Sequence, residues 1–343
     1  MRKSNKALGV FLSVSMMLTL AACGAKPAEQ PQTKPETTTS EAKPADKTYS
    51  IGISQFVEHP ALDAIEKGIV DGLAGAGYED GKNVKVELQN AHADMSNTVS
   101  IAQKFAGDNK DMVIAIATPT AQAAAKAIAD KPVIFSAVTD PIAAGLVGSL
   151  DKPDKNVTGT SDKLSMKKQL ELVKGFLPNL KKLGVLYTTS EVNSGVQVQE
   201  LEDAAKEMGV EIVKAGVSTG SEVQLATQSL VGKADAVLIP VDNTVVSAVE
   251  GVLMAAEAAK LPVFASDTDT VKRGAIATYG IDYYKMGKQT GEMAARILGG
   301  QQITQTPVEV SKEADLYINE QAAAKFGLTI PEDLKKAAKE IVK

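Results

Sequence analysis

The stretch Met112-Val-Ile-Ala-Ile-Ala-Thr-Pro-Thr120 decides the fold of this chain of 343 residues. Its continuous apolar run predicts a strand that is buried on both faces, and Thr-Pro-Thr then opens an alanine-rich run that predicts a helix over 119–130. A second apolar run, Lys131-Pro-Val-Ile-Phe-Ser136, follows that helix. A buried strand, a helix and another buried strand are typical of a βαβ unit in a parallel sheet.

The same alternation extends in both directions from this unit. Strands are predicted at 49–54, 84–88, 112–117, 133–137, 182–187, 211–214, 236–239, 262–264 and 275–278. Helices are predicted at 61–76, 95–108, 119–130, 195–208, 222–231, 244–260 and 283–298, with extended pieces at 307–311 and 315–318. The pattern predicts an α/β fold with parallel sheets that helices cover on both faces.

The pattern of 112–136 occurs a second time. Ala236-Val-Leu-Ile-Pro-Val-Asp-Asn-Thr244 precedes a longer alanine-rich run, which Leu261-Pro-Val-Phe-Ala-Ser266 follows. We therefore expect two doubly wound parallel-sheet lobes, with a cleft between the carboxyl ends of their strands and more than one crossing of the chain. The expected boundaries are 48–160 plus 280–306 for lobe 1, and 161–279 plus 307–343 for lobe 2.

Cys23 is the only cysteine, and it stands in Leu20-Ala-Ala-Cys-Gly24 after an apolar run with basic residues before it. This layout predicts a lipoprotein signal peptide over 1–22, lipid attachment (diacylglyceryl and palmitate) at Cys23, and a disordered Pro/Thr/Lys-rich tether over 23–47. The mature protein is then expected on the extracytoplasmic face of the cell membrane, held by its lipid anchor. An ordinary cleaved signal peptide is the alternative.

Composition narrows the class of function. The formal net charge is −5, and no basic block follows the signal peptide, so nucleic acid is not an expected partner. The two histidines, His59 and His92, are far apart and are predicted to be solvated loop residues, so no metal site is expected. No nucleophile, base and acid are grouped as in an enzyme, and neither an enzymatic activity nor a cofactor is predicted.

Several short motifs carry a family resemblance. They are Thr118-Pro119, Asp140-Pro141, Gly145-Leu-Val147, Asn156-Val-Thr-Gly159 and Lys168-Gln-Leu-Glu-Leu172. The chain resembles the substrate-binding lipoproteins of ABC transporters, of the tryptophan/tyrosine-binding type. The resemblance implies a type I periplasmic-binding-protein fold, with a three-strand hinge, that closes on a small molecule and delivers it to a membrane permease with its ATPase.

This resemblance implies an amino acid as the ligand, most specifically tryptophan, tyrosine or phenylalanine, and we expect a monomer. Two alternatives remain open. The protein could be a ligand-sensing or adhesion lipoprotein with the same fold, or it could bind a ligand that is not an amino acid.

Hydroxyl groups follow two strands of lobe 1. Thr118 and Thr120 open a helix whose free N–H groups suit a carboxylate, and Ser136 is a companion donor at the next strand end. Capping of the helix by Thr118 is the alternative. Ser54 and Gln55, at the end of the first strand, are weaker candidates.

Acidic and polar side chains follow the corresponding strands of lobe 2. Asp242 is predicted to bind the ammonium group of the ligand, with Asp267 as the second choice, because a buried charge needs a partner. Asp242 could instead cap the helix that follows it. After strand 182–187, we expect that four further polar residues could hold the backbone of the ligand: Thr188, Ser190, Asn193 and Ser194.

Three aromatic side chains are predicted near the cleft. Phe56 follows the first strand, Tyr187 ends a strand, and Tyr283 lies near a crossing between the lobes. Stacking on a flat ligand side chain is the functional interpretation, and packing in the core or the hinge is the alternative.

Overall fold

The computed structural model describes residues 47–311 and 314–343. The predicted signal peptide, Cys23 and the predicted tether up to residue 46 lie outside the described residues. Within the described ranges, no helix combines the length and apolar character that a membrane crossing requires.

The first part of the chain alternates strands with helices. Its strands are β1 (Tyr49–Gln55), β2 (Val84–Asn90), β3 (Met112–Ile116), β4 (Val133–Ser136) and β5 (Val157–Ser161). Its helices are α1 (Pro60–Gly75), α2 (Met95–Gly107) and α3 (Thr118–Ala127). Every residue of β3 and β4 is buried, as the continuous apolar runs predict.

The second part repeats the alternation. Its strands are β6 (Lys182–Thr188), β7 (Glu211–Val217), β8 (Ala236–Ile239) and β9 (Val263–Ala265). Its helices are α4 (Met166–Phe176), α5 (Val192–Met208), α6 (Val223–Leu230), α7 (Asn243–Ser247), α8 (Val249–Ala259) and α9 (Thr268–Arg273). The prediction of one helix over 244–260 is wrong, because the backbone of Ala248 (φ −114°, ψ 22°) leaves the helical range and separates α7 from α8.

The remaining elements run to the carboxyl end. The strands are β10 (Ala277–Gly280), β11 (Glu309–Val310), β12 (Asp315–Asn319) and β13 (Glu340–Val342). The helices are α10 (Tyr283–Leu298), α11 (Glu320–Lys325) and α12 (Glu332–Ala337). Single 3-10 turns occur at Gly220–Glu222 and Ile303–Gln305.

Parallel pairing builds two sheets. The first has the strand order β11-β5-β4-β3-β1-β2, and the second has the order β7-β6-β8-β9. A third sheet, β10-β12-β13, adjoins β9 through a hydrogen bond from Ile276 N to Val263 O (2.7 Å). We call the six-stranded sheet with its helices the first lobe, and the other two sheets with their helices the second lobe.

Among residues 47–311 and 314–343, the elements pass from one lobe to the other three times: between β5 and α4, between β10 and α10, and between β11 and β12. The predicted fold class, two doubly wound parallel-sheet lobes joined by a three-strand hinge, is confirmed. One boundary differs in detail. Since β11 pairs with β5, sheet pairing keeps Glu309–Val310 with the first lobe, whereas the sequence prediction assigned residues from 307 onward to the second.

Helix α10 returns to the first lobe and packs directly on α1. A Cβ at Gly287 would clash with the carbonyl oxygen of Ile65, and one at Gly68 would clash with that of Tyr284. The two helix backbones therefore touch, and only glycine fits at these positions. This contact fixes α1, whose amino-terminal end lies at the cavity described next.

Candidate functional site

A small cavity of about 20 Å³, room for about one water molecule, lies between the two lobes at the carboxyl ends of their parallel strands. In open α/β sheets this edge is where ligands bind. Both lobes and two of the crossings contribute polar side chains to its lining: His59, Thr139, Asp162, Asn193, Asp242, Asn243, Asp267 and Tyr283.

Asp242 lies at the cavity, after β8, but its carboxylate is already saturated with donors. Oδ2 accepts from the amide of Thr188 at 2.5 Å and from Oγ of Ser194 at 2.6 Å. Oδ1 accepts from Oγ1 of Thr188 at 2.7 Å and from the amide of Val245 at 2.8 Å, which caps α7. Burial, and then the neighbouring Glu191 carboxylate, raise the pKa of Asp242. The capping alternative is therefore what the geometry shows, and it occupies both oxygens.

Glu191 is a buried residue that sequence reasoning missed. Its carboxylate accepts from the amide and hydroxyl of Thr244 at 3.0 and 2.8 Å, and from the side-chain amides of Asn243 and Asn193 at 2.5 and 3.0 Å. Glu191 thus holds the start of α7 in place behind the cavity. Only its position just before α5 could have suggested this role.

Asp267, after β9, presents a different geometry. Oδ1 accepts from the amide of Thr270 at 2.7 Å and caps α9. Oδ2 is buried and has no hydrogen-bond partner within the described ranges. Burial raises the pKa of Asp267, although the hydroxyl and the amide of Thr270 act in the opposite direction. A buried acceptor without a partner is costly, so this oxygen is poised for a donor that arrives from outside the protein.

Asp162 and Tyr283 lie on two different crossings and meet at the cavity. The phenol of Tyr283 donates to Oδ2 of Asp162 at 3.5 Å, and the hydroxyl of Thr139 donates to Oδ1 at 2.9 Å. Burial raises the pKa of Asp162 to about 6. Burial, and then the Asp162 carboxylate, raise the pKa of Tyr283 well above its usual value. Tyr283 was predicted near the ligand, whereas Asp162 and Thr139 were not.

The sequence prediction for His59 is wrong. His59 is only 8% exposed, lines the cavity, and has both ring nitrogens buried with no partner in the part of the chain that the structure describes. Burial, and then the charge of Arg273, lower the pKa of His59 to about 3, so the ring is neutral. The second lobe covers the loop on which the histidine stands, and the prediction took that loop to be solvated. His92 is exposed, as expected.

The polar residues predicted after β6 lie in three different environments. Asn193 lines the cavity, and its Oδ1 is buried without a partner among residues 47–311 and 314–343. Ser194 and Thr188 lie behind the cavity and bind Asp242. Ser190 is exposed and is not among the residues that line the cavity.

The hydroxyls predicted in the first lobe do not line the cavity. Thr120 Oγ1 donates to the carbonyl of Ile116 at 2.6 Å, and Ser136 Oγ is bonded to Oγ1 of Thr290 at 2.8 Å. Thr118 has a buried hydroxyl with no partner within the described chain, and it does not cap α3, whose N-cap is Ala117. The two weaker candidates are also buried away from the lining: Ser54 and Gln55.

Of the three predicted aromatic residues, only Tyr283 lines the cavity. Phe56 is 1% exposed and belongs to the hydrophobic core, as the packing alternative states. Tyr187 is half-buried in β6 beside Gly216. Apolar contacts in the lining come instead from aliphatic residues: Ala61, Leu62, Ala137, Val241 and Val246.

The cavity offers acceptors and donors but no grouping for metal chemistry. Within residues 47–311 and 314–343, no three His, Cys, Asp or Glu side chains are grouped so as to hold a metal ion. Among the described residues that line the cavity, the buried side-chain atoms without a hydrogen-bond partner are the carboxylate oxygen of Asp267, the amide oxygen of Asn193 and the ring nitrogens of His59. They suit a small polar ligand that brings hydrogen-bond partners of its own.

Residues 50–342 match the family model of the ABC transporter substrate binding protein. The chain belongs to this family, which confirms the resemblance drawn from the sequence motifs, and it is a substrate-binding protein of an ABC transporter. It is 51% identical over 274 residues to a tyrosine-binding protein of Clostridioides difficile, a match that covers 80% of this chain and 79% of the relative.

Two solved structures extend the comparison. One is an ABC domain in complex with L-Trp from Streptococcus pneumonia, with 39% identity, a TM-score of 0.84, and coverage of 86% of this chain and 100% of that one. The other is the ligand-free, open structure of a substrate-binding protein with adhesive properties from Clostridium difficile, with 45% identity, a TM-score of 0.65 and the same coverage.

Proposed function

We propose that this protein captures an aromatic L-amino acid, tyrosine, tryptophan or phenylalanine, between its two lobes and delivers it to the permease and ATPase of an ABC importer. The observation that carries this proposal is the unpartnered Oδ2 of Asp267 at the cavity between the lobes. A buried carboxylate oxygen of this kind is matched by a cationic donor, and the α-ammonium group of an amino acid is one.

Asn193 and Asp267 act together on this ammonium group. Oδ1 of Asn193 is a second buried acceptor without a partner in the described chain, and both residues line the cavity. Asp242 is not the primary partner, since its two oxygens already accept four hydrogen bonds from its own lobe. The order of the two aspartates in the sequence prediction is therefore reversed in this proposal.

The cavity lining and the ligands of the relatives both bear on the chemical character of the ligand side chain. Aliphatic side chains and Tyr283 line the rest of the cavity, which suits an apolar group. Because the cavity volume is only about 20 Å³, the lobes or the lining side chains must move apart to admit an aromatic side chain. The Clostridioides difficile relative is a tyrosine-binding protein, and the Streptococcus structure holds L-Trp. No covalent step is part of this proposal, and no cofactor is required.

The proposed mechanism is hinge closure about the three crossings. The chain superposes on the L-Trp complex with a TM-score of 0.84 but on the open relative with only 0.65, although the open relative has the higher sequence identity. This difference supports a closed arrangement, in which side chains of both lobes meet at the cavity. Rigid lobes that rotate about a few linking residues are a common way to bury a ligand.

The proposed setting is the outer face of the cell membrane. Cys23, preceded by its apolar run, would carry the lipid anchor, and the segment up to residue 47 would connect it to the folded part. The protein would act as a monomer beside its permease. Mass spectrometry of the membrane fraction would show a lipid-modified peptide beginning at Cys23, and a chain without that modification would contradict the anchor.

A second candidate function, adhesion, is favoured by the open relative, which is a substrate-binding protein with adhesive properties at 45% identity. In this case the same folded chain would also adhere to an external surface. Adhesion of the purified chain to immobilised cells and to a protein-coated surface, with and without saturating tyrosine, would test this role. No binding above that of an unrelated lipoprotein would contradict it.

Titration calorimetry of the chain from residue 24 onward tests the primary proposal, with L-tyrosine, L-tryptophan and L-phenylalanine as ligands and L-leucine as the comparison. We expect Asp267→Asn to weaken binding of the preferred ligand by roughly 10- to 100-fold, because it removes a charge-assisted hydrogen bond. Asp269→Asn, on the same helix, is the matched control and should leave the affinity within about twofold. Absence of binding by all three aromatic amino acids would contradict the proposal.

A further inference from the structure

The amino-terminal end of α1 faces the cavity with groups that the described protein leaves unsatisfied. His59 occupies the N-cap position, but its side chain makes no capping hydrogen bond, and Pro60 stands at the first helical position. Ala61 and Leu62, the next two residues, are buried and line the cavity. Neither of their amides has an acceptor among residues 47–311 and 314–343.

Helix geometry explains why these two amides are free. The first N–H groups of an α-helix have no intrahelical acceptor, and in most helices a capping side chain or water satisfies them. Pro60 has no N–H, and the amide of Asp63 donates to the carbonyl of His59 at 3.0 Å. Two donors therefore remain, at the positive end of a helix dipole that spans 16 residues.

The side chain of His59 independently supports a ligand site at the start of α1. Both of its ring nitrogens are buried and lack a partner within the described residues, and the ring lines the same cavity. A neutral imidazole has one N–H donor and one acceptor nitrogen. Leaving both unpaired in a buried site costs stability, so a group from the ligand is the natural partner.

We infer that His59 and the backbone N–H groups of Ala61 and Leu62 bind the carboxylate of the amino-acid ligand. The first lobe thus holds the anionic end of the ligand, and Asp267 with Asn193 in the second lobe holds the cationic end. This assignment rests on the proposed function and names the groups that recognise each end. It explains why closure favours a zwitterion: each lobe alone offers a site for only one charge.

Asp63, the acidic side chain in the first turn of α1, already has a partner. Oδ1 of Asp63 accepts from Nε2 of Gln55 at 2.7 Å, and Gln55 also donates to the carbonyl of Val57 at 3.0 Å. The competing place for a carboxylate is the start of α3, where Thr118 has a buried hydroxyl without a partner in the described chain. Thr118 does not line the cavity, whereas His59, Ala61 and Leu62 all do.

The test compares L-tyrosine with L-tyrosine amide, or the corresponding pair for whichever aromatic amino acid binds best. The amide keeps the ammonium group and the side chain but lacks the carboxylate charge. Calorimetry at pH 6 keeps the α-amino groups of both ligands protonated. The measured quantity is the preference, defined as the affinity for the amino acid divided by the affinity for its amide.

We expect the wild type to prefer the amino acid, and His59→Leu to reduce that preference by roughly 10-fold, since a hydrogen bond to a charged group is lost. His59→Gln, which keeps a donor, should restore part of the preference. His92→Leu, at the exposed histidine, is the matched control and should change nothing. Asp267→Asn should weaken both ligands and leave the preference unchanged.

The other possible outcomes distinguish a failure of this inference from a failure of the proposed function. If the wild type binds an aromatic amino acid and His59→Leu keeps the full preference, the inference is overturned while the proposed function stands. If Thr118→Val abolishes the preference and His59→Leu does not, the carboxylate lies at the start of α3. If the wild type binds no amino acid, the proposed function itself fails. Thermal unfolding of each variant verifies its fold, and His59→Gln gives a second reading if His59→Leu does not fold.

Discussion

The hydroxyl of Ser194 donates to Oδ2 of Asp242 at 2.6 Å and so joins the start of α5 to the end of β8. The amide and hydroxyl of Thr188 complete the arrangement from the end of β6. Three segments of the second lobe are thereby held at one carboxylate. Asp242 is in this sense a positioning residue, which keeps the cavity wall in shape.

We predict that Asp242→Ala lowers the free energy of unfolding by about 2–4 kcal/mol, because the donors of Thr188, Ser194 and Val245 lose a buried acceptor. Asp203→Ala, an exposed substitution on α5, is the control and should change it by less than about 0.5 kcal/mol. Urea denaturation measures both. An unchanged stability together with a complete loss of ligand binding would instead return Asp242 to the role of ammonium partner.

A charged bridge connects the lobes at the protein surface. Nζ of Lys163 lies 3.1 Å from Oδ2 of Asp140, in the first lobe, and 2.9 Å from Oε1 of Glu200, on α5. Opening of the lobes would break it. We therefore predict that Lys163→Met weakens ligand binding by roughly two- to fivefold, the effect of losing about 0.5–1 kcal/mol from the closed state.

The matched control for this bridge is Lys167→Met. Lys167 is also exposed, and it pairs with Glu207, within the second lobe, at 2.8 Å. Lys167→Met should leave the ligand affinity, measured by calorimetry, unchanged. The effect of Lys163→Met should also shrink at high salt, because exposed ion pairs are screened. Equal effects of the two substitutions would show that the bridge has no part in closure.

Substitution of a glycine at the contact between α1 and α10 is predicted to lower the stability of the fold. In Gly287→Ala the new Cβ would meet the carbonyl oxygen of Ile65, which belongs to a rigid backbone and cannot move aside cheaply. We expect the free energy of unfolding to fall by about 1–3 kcal/mol or more. Gly195→Ala, in α5 with open space around it, should instead stabilise the chain by up to about 1 kcal/mol. Thermal or urea unfolding distinguishes the two.

The raised pKa of Asp162 leads us to predict that stability depends on pH in a specific way. Its pKa is raised by burial to about 6 in the folded chain, while an unfolded aspartate has a pKa of about 3.9. The folded state thus binds the proton more tightly, and this contribution to stability is present below about pH 4 and is lost as the pH rises through 6.

Asp162→Asn, which cannot lose a proton, should remove this part of the pH dependence. Relative to the wild type, we expect the free energy of unfolding of the variant to rise by about 1–3 kcal/mol between pH 4 and pH 7. Asp130→Asn, an exposed control, should follow the wild type at all pH values. Urea denaturation across this range measures the difference, and parallel curves for Asp162→Asn would contradict the assignment.

The sequence predicts the fold well because buried parallel strands are written as continuous apolar runs, such as 112–116 and 133–136. It also places Asp242 and Asp267 at strand ends, which local pattern alone can do. What it cannot tell is which carboxylate oxygen stays free. That depends on Thr188 and Ser194, whose contacts to Asp242 span 54 and 48 residues of sequence.

His59 and Glu191 show the same limit from the other side. A histidine or glutamate in a loop before a helix is usually solvated, and here both are buried because distant segments cover them. The bonds from Asn243 and Thr244 to Glu191 cross 52 and 53 residues. Pro60, directly after His59, was the one local signal, because proline at the first helical position marks the residue before it as the N-cap.

The glycine contact also has a consequence for biosynthesis. Helix α1 ends at Gly75, but the partner that covers it, α10, is completed only at Leu298. A ribosome must therefore translate most of the message before the amino-terminal lobe can close its core. Until then the nascent chain carries exposed apolar surface, so that lobe matures late, after the segments of the other lobe have already emerged.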